Sequence, residues 1–308
     1  MTNPPTTASR RAERKGAAAV RVPRAAVPSP PPPSASVAYP GPAGTHTAAA
    51  AAALFPSARL VPLAGFRAVA DAVGSAESAY GVLPIESSLA GAVPETHDLL
   101  YERDLSIVAE AVLPIHHCLA GPADVPLDAI RIVRSHPSAL DQCRDLLARL
   151  PKASVVAAAT TADAARQVAA EEDPSVVAIV REEAVALYGL VVLEDDVGDS
   201  PAFTRFVTIA PYTRLDVPHE SAHTAFTFLT KHRPGALHAA IAPFAEAKLD
   251  LLRLVSRPLP ATPWKYRFDA VVVGHPLEPS VRLAFRQLAA ATRELRVVGV
   301  YEGHEVKS

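Results

Sequence analysis

Cysteine is nearly absent from this chain: 308 residues carry only Cys118 and Cys143. They form no CxxC pair and no cluster with the ligand spacing of a zinc site. That excludes a disulfide scaffold and a structural zinc site, and it reads as two ordinary buried thiols. Excess charge is missing too. Lys+Arg number 30 against 32 Asp+Glu, a formal net charge of −2, so no global field draws in nucleic acid or an acidic membrane surface. Long apolar runs are also lacking: no stretch holds the roughly 18 continuous apolar residues without charges that a membrane span requires. What remains is ordinary globular material, 49% hydrophobic and 20% charged, with length for two domains and a sizeable core.

Residues 1–36 differ from the rest. They carry Arg10, Arg11, Arg14, Lys15, Arg21 and Arg24 against Glu13 alone, followed by a proline run. Such a segment buries too little apolar surface to offset its ordering entropy, and a disordered basic tail is expected. Arg10-Arg11 is the start of an export signal only if an apolar segment follows, and none does; a transit peptide is the weaker alternative. A cytoplasmic location is expected.

From Ser36 onward, strand-like and helix-like segments alternate, which predicts an α/β fold with mostly parallel sheets. Residues 37–212 hold more short strands than one ordinary sheet, so two lobes are expected. The polar, proline-punctuated "PYTRLDVPHES" at 211–221 reads as a linker. Residues 222–302 then read βαββαβ, a ferredoxin-like order. One of its helices has Pro234 near its first turn and Leu237, Ile241 and Phe244 at i, i+4, i+7.

Four loop segments are candidates for chemistry, each at a strand end. "GPAGTHT" (41–47) offers a tight turn and a helix start carrying Thr45, suited to an anion. "LPIESSLAG" (83–91) places Glu86, Ser87 and Ser88 after an apolar strand, either as a helix N-cap built on Ser88 or as a polar set facing a ligand. "RSHPSALDQC" (134–143) offers Ser135 or His136 as a cap before Pro137. In "DDVGDSPAFTRFVTIA" (195–210), Thr204-Arg205-Phe206 enters a strand. Arg205 there either pairs with Asp195, Asp196 or Asp199, or grips an anionic ligand bidentately, a contact worth about 1.5–3 kcal/mol.

Taken in order, "GPAGT", "LPIESS", "SHPSALDQC", "AARQVA", "YGL" and "FTRF", followed by "RPGAL" and "VSRP", resemble prephenate dehydratases with a C-terminal ACT regulatory domain. The resemblance spans residues 37 to 302. It implies a two-lobed catalytic domain like the periplasmic binding proteins (37–212), with its site in the cleft, and an ACT domain (222–302). It implies conversion of prephenate to phenylpyruvate, water and carbon dioxide without metal or organic cofactor. Thr204 would be the hydrogen-bond donor the reaction needs. Arg205 would hold a substrate carboxylate and Phe206 the cleft wall, with Thr45, Glu86, Ser87, Ser88, Ser135 and His136 completing the site. Phenylalanine would bind as effector between Gly235-Ala236-Leu237 of one subunit and Ser256-Arg257-Pro258 of another, in a dimer or tetramer. The chain departs from the family pattern at Ser87 (commonly Asn), His46 (commonly aromatic), Ala202 (often Asn) and Val255 (Glu in the effector motif). The last departure predicts weakened feedback. An arogenate dehydratase, a non-aromatising decarboxylase and a non-catalytic amino-acid sensor remain rival readings.

Overall fold

The computed structural model describes residues 20–21, 35–259 and 262–303. The expected disordered tail lies outside the described residues, except for the strand β1 (Val20–Arg21), which runs parallel to Leu295–Arg296, and the entry to the first long strand.

The first lobe is assembled from β2 (Ser36–Pro40), α1 (His46–Leu54), β3 (Arg59–Leu63), α2 (Phe66–Gly74), β4 (Tyr80–Ser87), β5 (Gly91–Ala92), α3 (Pro94–Glu102) and β6 (Ser106–Ile115). Alanine fills most of α1, and Thr45 caps it by accepting from the Ala48 N–H at 3.2 Å. The run "LSIVAEAVLPIHHCLAG" (105–121) is β-like in composition but breaks at His116-His117, where the chain leaves this sheet. The second lobe follows: β7 (Cys118–Gly121), β8 (Ile132–Ser135), α4 (Pro137–Asp141), α5 (Arg144–Ala148), β9 (Ser154–Ala157), α6 (Thr161–Glu171), β10 (Val176–Val180), α7 (Glu182–Tyr188) and β11 (Val191–Glu194). Its five strands are ordered β11-β7-β10-β8-β9. Cys118 and Cys143 are both free and buried there. The chain then returns through β12 (Ala202–Ala210), which lies between β6 and β4.

The last unit is β13 (Ala222–Thr230), α8 (Ala236–Glu246), β14 (Leu251–Pro258), β15 (Tyr266–Val273), α9 (Pro279–Ala291) and β16 (Thr292–Glu302), the βαββαβ order read from the sequence. Its sheet is not separate. β16 pairs in parallel with β6 at Gly299 and Ile107, so one 11-stranded sheet runs β14-β15-β13-β16-β6-β12-β4-β2-β3, with β1 added beside β16 and β5 beside β4. Glycine is required at that junction: a Cβ on Gly299 would lie 2.4 Å from the Ile107 carbonyl oxygen. Apolar packing crosses the junction as well, with Ala225, Val271, Val298 and Tyr301 in one core with Leu99, Ile107, Val207 and Ile209. The segment read as a linker is pinned by side chains. The hydroxyls of Tyr212 and Tyr80 meet at 2.7 Å, and those of Thr213 and Ser106 at 2.8 Å.

Candidate active site

A cleft of about 900 Å³ lies between the two lobes. From the first lobe, Thr45, His46, Phe66, Ser87, Thr204 and Phe206 line it; from the second, His117, His136, Ser138, Gln142, Thr160 and Asp163. Strand alternation decides which motif residues reach it. On β12 and β4, Thr204 pairs with Ser87 and Arg205 with Glu86. The first pair faces the cleft. The second points through the sheet to its other face.

Two expectations for Arg205 therefore fail together. It binds neither the aspartates of the preceding loop nor the cleft. Its Nε donates to Glu86 at 3.2 Å and its Nη1 to Glu110 at 2.5 Å, and Glu86 accepts as well from Arg253 of β14 at 3.2 Å. Glu86 leaves the proposed substrate set for the same reason. Ser88 is neither a helix cap nor a cleft residue: its Oγ accepts from the Phe203 N–H at 2.9 Å, tying the loop to β12. Ser135 is wholly buried and donates to the Ile179 carbonyl at 2.6 Å, inside the second sheet. His136 both lines the cleft and caps α4, its Nδ1 accepting from the Ser138 N–H at 3.2 Å.

Thr204, Thr45, Ser87, His136 and Phe206 thus converge. Ser87 Oγ accepts from the N–H groups of Leu89 and Ala90, both at 3.3 Å, which shapes the turn beside it. The Thr204 hydroxyl has no protein hydrogen-bond partner among the described residues, which leaves it free for a ligand.

The cleft wall holds neither lysine nor arginine among the described residues. An anion is instead met by helix starts. The N-terminal ends of α1 (Thr45), α2 (Gly65), α3 (Val93) and α6 (Thr160) all line the cavity. Free N–H groups and the helix dipole favour negative charge at such ends. Gly65 and Val93 cap without a side-chain bond, so the N–H groups behind them remain available.

A linked set went unread in the sequence. His117 meets Gln142 Oε1 through Nε2 at 3.0 Å, and Gln142 Nε2 donates to Ser138 Oγ at 3.2 Å. The amide oxygen only accepts, so the His117 proton sits on Nε2 and Nδ1 carries a lone pair. Burial lowers the pKa of His117. His46, edge-on to His117 with ring centroids 5.6 Å apart, is pushed down to about 3 by burial, with Arg181 and His117 adding to the shift. Both imidazoles are neutral near pH 7. Two signals were available: Ser138 and Gln142 lie at i, i+4 in the quoted helix, on one face, and the His116-His117 pair interrupts a β-like run.

Helix α3 runs from the cleft to the C-terminal unit. One turn beyond Pro94, Asp98 accepts from Arg257 Nε and Nη2 at 3.2 and 2.7 Å and from Arg267 at 2.8 Å. Burial alone would raise the Asp98 carboxyl, but these guanidinium bonds outweigh it and hold it below the usual range. Arg257, expected to hold an effector, is therefore committed to Asp98 of its own chain. Gly235 caps α8 with φ +73°, Ala236 is buried behind it, and Ser256 and Pro258 sit on the exposed side of β14.

The family model for prephenate dehydratase matches residues 37–213. A bifunctional chorismate mutase/prephenate dehydratase of Pseudomonas aeruginosa is 35% identical over 268 residues, 86% of this chain and 72% of that protein. The chain belongs to the prephenate dehydratase family. Among solved structures, the prephenate dehydratase of Arthrobacter aurescens in complex with L-Phe superposes with a TM-score of 0.80 at 29% identity, covering 87% of this chain and 90% of that one. A protein described as a novel type of quorum-quenching acylase superposes with a TM-score of 0.78 at 30% identity, covering 87% of this chain and 98% of its own. One fold carries both descriptions, so turnover decides activity within this prephenate dehydratase framework.

Proposed function

We propose that this chain removes water and carbon dioxide from prephenate to give phenylpyruvate. The observation that carries this reading is the Thr204–Ser87 hydroxyl pair on the floor of a cleft ringed by helix starts. Prephenate is a dianion. Its ring carboxylate leaves as carbon dioxide, the bonding electrons move into the ring, and the hydroxyl across the ring departs and takes up a proton. Thr204 donates a hydrogen bond to that departing oxygen. A positioned donor of this kind contributes about 10²–10⁴-fold, and fixed dipoles and orientation supply the rest. Phe206 and Phe66 give the ring an apolar wall, and His46 and His117, being neutral, offer the dianion no full positive charge.

The C-terminal unit is inferred to be an ACT domain that binds phenylalanine in a homo-oligomer, supported by its βαββαβ order and by the phenylalanine bound to the Arthrobacter relative. With Val255 in place of an acid and Arg257 held by Asp98, feedback by phenylalanine is expected to be weak. Calorimetry showing micromolar affinity together with strong inhibition would contradict this.

A second reading is favoured by one observation: the only formally charged side chains lining the cleft, among the described residues, are the carboxylates Glu95 and Asp163. They suit the ammonium of arogenate better than the oxo group of prephenate; an Arabidopsis relative at 32% identity carries both activity names. Parallel assays decide: phenylpyruvate absorbance in base for prephenate, phenylalanine release for arogenate, each with Thr204→Ala as control. Failure on both substrates, with carbon dioxide still released, would favour a decarboxylase. Failure without carbon dioxide release would favour a sensor.

A further inference from the structure

Directly behind the floor of the cleft, one carboxylate oxygen is shared by two guanidinium groups from distant parts of the chain. Glu86 Oε2 accepts from Arg205 Nε and from Arg253 Nη1, each at 3.2 Å. Arg205 continues to Glu110, which is 1% exposed, and Arg253 is itself only 8% exposed. Two positive and two negative groups thus form a neutral cluster, with Glu110 and Arg253 buried and Glu86 and Arg205 partly exposed, and of the four Arg253 alone comes from the C-terminal unit. Glu86 is the residue before Ser87, and Arg205 is the residue after Thr204. The ladder between β12 and β4 shifts register at Arg205/Phe206, so backbone pairing is irregular just where the two hydroxyls must be held.

We propose that Arg253 is a positioning residue for the reaction: by anchoring Glu86 it sets Arg205, and through these neighbours the Thr204–Ser87 pair on the opposite face. This rests on the dehydratase reading above. Arg253 touches no cleft atom and acts only through the strand pair; a misplacement of about 1 Å in a reacting group can lower a rate 10²-fold. Its loss therefore moves turnover more than substrate affinity.

The test is steady-state kinetics on the full chain with prephenate for wild type, R253M, R253K, E86Q and R253M/E86Q, with the melting temperature of each. R253M is expected to lower kcat about tenfold with KM changed less than about threefold, and R253K to recover most of the loss. The double variant is expected to be no slower than E86Q alone, because both changes break one link. Wild-type kcat in R253M, losses that multiply in the double variant, or a loss that merely follows the fraction folded would each overturn the proposal. Where R253M does not fold, R253Q, which removes the charge and keeps a polar side chain, replaces it in the cycle with E86Q and separates the same outcomes. An active wild type with an insensitive R253M removes only the role of Arg253, whereas a wild type inactive on prephenate removes the dehydratase reading and this proposal together.

Discussion

The two faces of the β4–β12 strand pair do opposite jobs with neighbouring residues. The cleft face presents Thr204 and Ser87, short hydroxyls with no formal charge. The rear face presents Arg205 and Glu86, locked with Arg253 and Glu110 into an ionic cluster. A free guanidinium in the cleft would bind substrate and product carboxylates alike. Helix starts and hydroxyls attract an anion without offering it a full opposite charge. In Thr204-Arg205-Phe206, the first and last residues thus line the cleft and the middle one joins the ion pairs behind it, separated by the pleat of the strand.

The sharpest way to break this contrast is on the cleft face. Thr204→Ala removes the free hydroxyl and is expected to lower kcat by about 10²–10⁴-fold with an unchanged melting temperature, checked by the phenylpyruvate assay. Next is the rear face: Arg205→Met leaves Glu110 buried without its short ion pair and is expected to destabilise the fold by about 3–5 kcal/mol, read by denaturant titration. If Arg205 instead bound substrate, the variant would keep its stability and show a raised KM. Smaller is Ser135→Ala. It removes one buried hydroxyl–carbonyl bond and is expected to lower stability by about 1–2 kcal/mol while kcat holds, because Ser135 lies outside the cleft.

The smallest effect is on pH dependence. The His46 pKa in the folded state is about 3, below its unfolded value, so between that value and roughly 6.5 the unfolded chain binds more protons. His46 therefore favours folding above about pH 6.5, and that support fades as pH falls. His117 is shifted in the same direction. Asp98 and Asp269, each held low by its own partners, also lose stability with falling pH, starting in the ordinary carboxylate range and continuing below it. His46→Phe is expected to flatten the decline in melting temperature between pH 7 and 5 and to leave the lower limb intact.

Much of this was legible beforehand. The number of strands marked the two lobes, but the expected mostly parallel sheets are mixed, because β7 and β12, the strands next to the crossings between lobes, run antiparallel to both their neighbours. The βαββαβ order was readable because its helical i, i+4 spacing and strand runs are local signals. The ordered short motifs pointed to the family. The error over Arg205 was also avoidable. The strand β12 was expected, and a period of two places residues 204 and 205 on opposite faces whatever the fold. Other features had no local signature. The partners of Glu86 and Asp98 in the C-terminal unit, namely Arg253, Arg257 and Arg267, lie more than 150 residues away in the chain. Gly299 looks like any strand glycine until Ile107 is laid against it. Ser135 and His136 were both open as the cap of α4; the backbone places Ser135 one residue too early, and His136 is the cap.

The seam at Gly299 bears on how the molecule can be dissected. A fragment ending near residue 213 would keep the whole cleft yet strip β16 from β6 and lay bare Leu99 and Ile107, with a raw sheet margin ready to recruit other chains. Such a fragment is expected to clump during purification rather than behave as a minimal enzyme.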